Sequence, residues 1–230
     1  MEIIHWLAEI DRNLMLILNY DGGPIADQVW WIVSGKFTWT PLYLWLLWLL
    51  YTWSKPIKVN WSRFVALIVL TALVIVLSDQ IASGLIKPLV MRPRPAQPDS
   101  GIAQFIHTVN GYRGGHYGFV SSHAANTWGL SLWFLLLLKD KGKRKKEKST
   151  IEAQNESDSS PFTFHLSTPM LRGCEVVLML FTLLNCYSRI YLGVHYPGDI
   201  LGGLIVGTFS ALLCFYVLLP LVNRRIVKQK

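Results

Sequence analysis

Three short blocks of this sequence hold residues whose types and spacing suit chemistry. KPLVMRPRP (87–95) carries Lys87 and Arg94. VSSH (120–123) carries Ser121, Ser122 and His123, and SRIYLGVHYPGD (188–199) carries Arg189, His195 and Asp199. Brought to one spot, Lys87, Arg94 and Arg189 repel one another unless an anion sits among them. A tetrahedral oxyanion suits the set, because arginine offers a planar fork of donors and lysine a compact point charge. Taken singly, Lys87 or Arg94 fits equally well a cation that snorkels at a membrane interface.

The third block adds a base. Proline favours the first helical position, so a helix is expected to begin at Pro197, with Asp199 in its first turn and His195 just outside. A local Asp–His hydrogen bond is then feasible. It fixes the imidazole tautomer and leaves the other ring nitrogen to attack phosphorus. Alone, Asp199 also reads as a carboxylate that favours a helix N-terminus. His123 is a second imidazole, able to protonate a leaving oxygen, or else a packed histidine bonded to a backbone carbonyl.

These residues need elements to position them, and the chain supplies long apolar runs. Over 230 residues it is 52% hydrophobic, with ten tryptophans and a mean hydropathy of +0.35. Apolar stretches occupy residues 38–53, 64–77, 119–138, 174–187 and 200–222, and runs approaching 20 residues suit a bilayer rather than a soluble core. The predicted fold is therefore all-α: a polytopic helical membrane protein with about five transmembrane helices. The first span has an open start, as early as Pro24, and the second continues as helix to about residue 86. Residues 1–19 do not read as a signal peptide, since Glu2, Glu9, Asp11 and Arg12 interrupt them. Ile4, Leu7, Ile10, Leu14 and Leu18 recur at helical spacing, which predicts an amphipathic interfacial helix.

The formal charge of +8 is concentrated beside these runs. KDKGKRKKEK (139–148) holds seven basic residues against two acidic ones, and NRRIVKQK closes the chain. Basic segments flanking spans are expected on the cytoplasmic side, so the charge argues against a nucleic-acid partner. Lys55, Lys58 and Arg63, the 139–172 segment and the C-terminus then share the cytoplasm. The N-terminal helix, residues 87–118 and the 190–198 link face outward. Residues 139–168 read as a polar, disordered cytoplasmic insert in a single membrane domain spanning 1–230. Cys174, Cys186 and Cys214 lie in apolar runs as small buried hydrophobes. No His, Cys or carboxylate set has metal-ligand spacing, no cofactor motif occurs, and no pattern sets an oligomeric state. All three chemical blocks thus reach one face of the bilayer, where ionisable residues mark function.

At these residues the chain resembles the type 2 phosphatidic acid phosphatases, a superfamily shared with the vanadium haloperoxidases. Lys87 and Arg94-Pro95 are similar to its K-x6-R-P block, 120–123 to its P-S-G-H block, and 188–199 to its S-R-x5-H-x3-D block, in order over 113 residues. The resemblance implies a membrane lipid phosphatase needing no metal and working through a phosphohistidine. His195 is then the nucleophile, Asp199 its orienting partner and His123 the general acid. Lys87, Arg94, Ser121, the backbone amide of Ser122 and Arg189 hold the phosphate. Val120 replaces the usual proline and Ser122 the usual glycine. The resemblance assigns nothing to Arg92, nor to Tyr112, Arg113, His116 and Tyr117, which fit either substrate contacts or an interfacial aromatic belt.

The expected substrate is a membrane lipid phosphate whose tails stay in the bilayer: undecaprenyl pyrophosphate, a lipid A phosphate, phosphatidylglycerol phosphate or phosphatidic acid. The expected location is a bacterial inner membrane with the site facing the periplasm. The rival reading is a transporter that holds an anion without cleaving it. That reading requires neither the His195–Asp199 pair nor His123.

Overall fold

The structure, a computed structural model, describes residues 2–35, 37–54, 60–154 and 168–228. Among these, every regular element is a helix. The chain runs through α1 (Glu2–Leu18), α2 (Gly23–Val33), α3 (Thr40–Trp53) and α4 (Trp61–Asp79). A π-helical stretch (Gln80–Ile86) then leads into α5 (Lys87–Val90). After a long loop come α6 (Ser122–Gln154), α7 (Thr168–Tyr191), α8 (Pro197–Leu212), a second π-helical stretch (Leu213–Leu218) and α9 (Leu219–Lys228).

Three helical runs among the described residues are long and apolar enough to cross a bilayer: Trp61–Val90, Arg172–Tyr191 and Pro197–Arg224. The 14-residue α3 and the apolar first half of α6 pack beside them. The open start of the first run is resolved by a break after α2. With 11 residues, α2 is about 17 Å long, well short of a roughly 30 Å hydrocarbon core. Helix α6 continues past Lys139 to Gln154; the rest of the expected polar insert, residues 155–167, lies outside the described residues, as do Lys55 and Lys58.

The core lies where α3, α4, α6 and α7 meet, around Leu49, Val74, Trp133, Phe134, Leu178 and Phe181. Interhelical hydrogen bonds add direction: Trp133 Nε1 donates to Thr71 Oγ1 at 2.9 Å, and Trp128 Nε1 to Thr208 Oγ1 at 2.8 Å. In a bilayer such bonds and small-residue contacts replace the hydrophobic effect in joining helices. Helix α8 shows both faces of that rule. Leu201, Ile205 and Phe209 are exposed along one stripe, as hydrocarbon demands. On the opposite face Gly203 and Gly207 bring α8 onto the backbone of α6. A Cβ at Gly207 would fall on the carbonyl oxygen of Ala125 and 2.8 Å from Gly129 N.

The loop that follows α5 is strapped by short hydrogen bonds. After α5, Met91 adopts a left-handed conformation (φ 49°) and the helix stops before Pro93. Gly118 N–H then donates to Arg92 O at 2.9 Å and Ala96 N–H to Gly193 O at 3.1 Å. Helix α1 keeps Ile3, Ile4, Trp6 and Leu7 exposed, as an interfacial helix should, while Met15 is fully buried against Ile190, Tyr196 and Ile200. Asn19 clamps its end, donating to the carbonyls of Ile190 (3.0 Å) and Tyr191 (2.7 Å).

Candidate active site

Helix α8 begins at Pro197, and its first turn builds the base. Asp199 is fully buried. Its Oδ2 lies 3.3 Å from His195 Nδ1 and accepts the Tyr196 N–H at 3.0 Å. Both sequence readings of this carboxylate therefore describe the geometry: it caps the helix, and it faces the imidazole. The chain reaches His195 through a tight turn after α7, in which Gly193 takes φ +72°. A Cβ there would stand 2.9 Å from the His107 carbonyl oxygen, so the turn admits little but glycine. Burial, then the charges of Arg94, Arg189 and Lys87, hold the His195 imidazole well below its ordinary 6.5, against the pull of the Gly118 carbonyl. Both causes favour the neutral ring.

The cations come from three directions. Arg94 is tied by its Nε to the Tyr117 carbonyl at 3.1 Å. Lys87, at the start of α5, donates to Ser83 Oγ (3.4 Å) and Ser122 Oγ (3.3 Å). Arg189, in the last turn of α7, is buried and donates through Nη1 to Ser34 Oγ at the end of α2. Its Nε is buried and has no hydrogen-bond partner among the described residues. An unsatisfied buried guanidinium N–H is costly unless a ligand takes it, and an oxyanion does so.

Helix α6 supplies the remaining groups. Ser121 N–H donates to the Asp199 backbone carbonyl at 2.9 Å, and Ser121 Oγ accepts from Ala124 N–H at 3.4 Å. His123 stands close enough to Arg189, His195, Arg94 and Lys87 to feel their fields. The structure thus brings all eight sequence-predicted residues into one region. It also gives the Ser122 hydroxyl a partner in Lys87, a contact that the motif comparison, centred on the backbone amide, did not foresee. Ser122 and His123 line a cavity of about 620 Å³ between α3, α4, α6 and α7. Its walls are mostly apolar, with Leu46, Leu50, Ile68, Leu130 and Phe134, and Asp79, Asn126 and Asn185 also line it.

Sequence reasoning missed Arg92 and Asp11. Arg92 Nη1 reaches Asp199 Oδ1 at 3.1 Å and Asp11 Oδ2 at 2.7 Å. One trio among the described residues, Asp21, Asp27 and His107, has metal-ligand atoms within 4.8 Å of one another. Sequence spacing hides it because Asp27 and His107 are 80 residues apart, and the two already share a 2.8 Å hydrogen bond. Of the unassigned loop residues, Tyr112 sets its ring edge-on to Trp31 at 5.6 Å, and His116 pairs with Asp99 at 2.9 Å in an exposed position.

A cluster of cations and imidazoles beside a largely apolar cavity that Ser122 and His123 line, in an all-α membrane fold, defines an enzyme class that meets phosphate esters at the bilayer surface. Comparison with known proteins agrees: residues 68–222 match the PAP2 superfamily, and the chain belongs to it. It is a membrane lipid phosphatase. A relative from Bacteroides thetaiotaomicron, a lipid A 4'-phosphatase, is 31% identical over 222 residues, covering 96% of this chain and 83% of its own length. A second lipid A 4'-phosphatase, from Porphyromonas gingivalis, is 31% identical over 205 residues, covering 89% of this chain and 71% of its own. No solved structure gives a significant match.

Proposed function

We propose that this phosphatase removes a phosphate monoester from a lipid A-type head group, through a phosphohistidine at His195. The observation that carries the reading is a largely apolar cavity that Ser122 and His123 of the candidate site line. Acyl chains fit its apolar walls, and the phosphate meets Lys87, Arg94 and Arg189. The two lipid A 4'-phosphatase relatives favour that head group over the other lipid phosphates.

The Nε2 lone pair of neutral His195 attacks phosphorus while the bond to the lipid oxygen breaks. His123, charged once the bound phosphate dianion offsets the cations around it, gives that oxygen its proton. Asp199 holds the Nδ1–H tautomer and balances the positive charge of the phosphorylated ring. Arg189 Nε, Arg94, Lys87 and the Ser122 N–H meet the charge on the equatorial oxygens. His123 then takes a proton from water, the resulting hydroxide attacks phosphorus, the P–N bond breaks, and inorganic phosphate leaves with His195 restored. We place the site on the periplasmic side of a bacterial inner membrane, a reading supported by the basic residues that cluster at the opposite ends of the spans.

The test is phosphate release by purified protein in detergent, from lipid A, undecaprenyl pyrophosphate, phosphatidylglycerol phosphate and phosphatidic acid. Lipid A is expected to be cleaved with the highest kcat/KM, and mass spectrometry of the product to locate the loss at the 4' position. Preference for another lipid of the panel overturns the head-group reading.

A further inference from the structure

Asp199 has two carboxylate oxygens, and only one faces the histidine. Oδ2 serves His195 and the Tyr196 N–H; Oδ1 accepts from Arg92 Nη1 at 3.1 Å. Arg92 is itself held. Its Nη1 meets Asp11 Oδ2 at 2.7 Å, and its guanidinium lies over the Tyr196 ring, 3.8 Å from the centroid. The other oxygen of Asp11 accepts the Gly198 N–H at 2.7 Å, one residue before Asp199. Asp11 belongs to α1, and both α1 and its carboxylate lie outside the 68–222 segment matched to the superfamily. The Gly198 contact is close-fitting, for a Cβ at that position would meet Asp11 Oδ2 at 2.7 Å.

We propose that Asp11 and Arg92 are positioning residues for the nucleophilic histidine, acting through Asp199, so that the N-terminal helix is part of the catalytic apparatus. The inference rests on the reading of His195 as nucleophile. Arg92 places a cation against the face of the Asp199 carboxylate turned away from the imidazole. Charge on that side keeps the carboxylate ionised in a buried site and fixes its rotamer. Asp11 does two things: it holds Arg92 in register between two carboxylates, and it pins the backbone of the first turn of α8. A mere docking contact for α1 needs only the second. The other charged groups around Asp199 are His195 on the preceding turn, Arg94 on the loop after α5 and Lys87 on α5. From α6 the contact is the Ser121 N–H on the Asp199 backbone.

The experiment is a pH profile of kcat with a double-mutant cycle, on full-length protein in detergent, with a lipid phosphate that the wild type cleaves. Arg92→Gln is expected to move the acid limb of kcat up by about one pH unit or more, with KM little changed, because the carboxylate loses its cation. Arg92→Lys is expected to restore part of the limb. In an Asp199→Asn background, Arg92→Gln is expected to add about twofold or less, since the group it acts through is gone. Asp11→Asn keeps a carbonyl for Gly198 but loses the charge, and is expected to shift the limb in the same direction by less. Inhibition by inorganic phosphate and the melting temperature, both near wild type, separate these effects from a damaged cradle or fold. An unchanged acid limb, or losses that multiply fully in the Asp199→Asn background, overturns the proposal. If His195→Ala itself stays active, the nucleophile reading fails first; an inactive His195→Ala beside a normal Arg92→Gln sinks this inference alone.

Discussion

Gly207→Ala places one methyl group two helical turns from Asp199 and outside the chemistry. Its Cβ would stand 2.8 Å from Gly129 N and nearer still to the Ala125 carbonyl oxygen, both parts of the α6 backbone. Neither obstacle can swing aside as a side chain does. Restoring an ordinary contact of about 3.4 Å to Gly129 N alone takes roughly 0.6 Å, and clearing the carbonyl brings the separation of α6 and α8 to about 1 Å. The site is divided between these two helices. His195 and Asp199 stand at the start of α8, while Ser121, Ser122 and His123 stand at the start of α6. The 2.9 Å bond from Ser121 N–H to the Asp199 carbonyl is the stitch that joins them. A misplacement of about 1 Å between His195 and His123, in the roles proposed for them, costs on the order of 100-fold in rate, or about 2.7 kcal/mol of barrier. Overpacking destabilises by about 1–3 kcal/mol, partly offset by about 1 kcal/mol from replacing glycine with alanine inside a helix. Rate should therefore fall much further than stability. The assay is kcat on a saturating lipid phosphate in detergent, beside the melting temperature. Gly173→Ala, whose added Cβ meets nothing within 4 Å, serves as the control. A folded Gly207→Ala enzyme with kcat within about threefold of wild type refutes the reasoning, because the two halves of the site would then tolerate separation.

Four further outcomes are expected. His195→Ala abolishes turnover while Asp199→Asn leaves a reduced rate, measured as phosphate release; substantial activity in His195→Ala removes the phosphohistidine route. Activity survives EDTA and falls with vanadate, which takes the five-coordinate shape of the transferring phosphoryl group, whereas loss on chelation with recovery in Mg²⁺ means the cations were misread. In a background lacking Cys174, Cys186 and Cys214, an impermeant thiol reagent labels Gln104→Cys on intact cells but Gly173→Cys only after permeabilisation; equal labelling contradicts the sidedness. Finally, His195 is depressed in the folded state, so below about pH 6.5 the unfolded chain takes up a proton that the folded one refuses. Stability from this group is present above 6.5 and is lost as pH falls, by up to about 1.4 kcal/mol per unit. The gap in melting temperature between wild type and His195→Gln should shrink or reverse from pH 7 to 5.5, and a constant gap disproves the buried neutral imidazole.

What the sequence revealed and what it hid divide along one physical line. Lys87 with Arg94, His123 behind two serines, and Arg189 with His195 and Asp199 are near neighbours in short segments, so their spacing survives in the string of letters. Asp11 and Ser34 meet residues of the same site only through tertiary packing, and Arg92, though inside the 87–95 block, shows nothing in its spacing of the Asp199 oxygen it reaches. Asp11 stands 188 positions before Asp199 and read as one more polar residue on an interfacial helix. The Asp21, Asp27 and His107 trio was hidden for the same reason. Apolar run length located the long helices, because a bilayer demands continuous hydrocarbon over each. It could not show the break between α2 and α3, where Trp39 keeps the composition apolar while the backbone turns at Ser34.

The π-helical stretch Gln80–Ile86 sets a constraint of a different kind, one of counting. Each i→i+5 closure carries one residue more than an α-turn, and one residue of α-helix is worth about 100° of rotation. The membrane-facing stripe of Trp61–Asp79 and the inward aim of Lys87 therefore belong to two different helical phases, with this stretch as the converter between them. Removing any single residue from it, even the exposed Gly84, would let the run close as continuous α-helix and swing the lysine away from Ser122. The number of residues between Asp79 and Lys87 is thus under a demand that none of their side chains displays. An aligned homologue is expected to keep the length of this stretch even where its exposed residues change type.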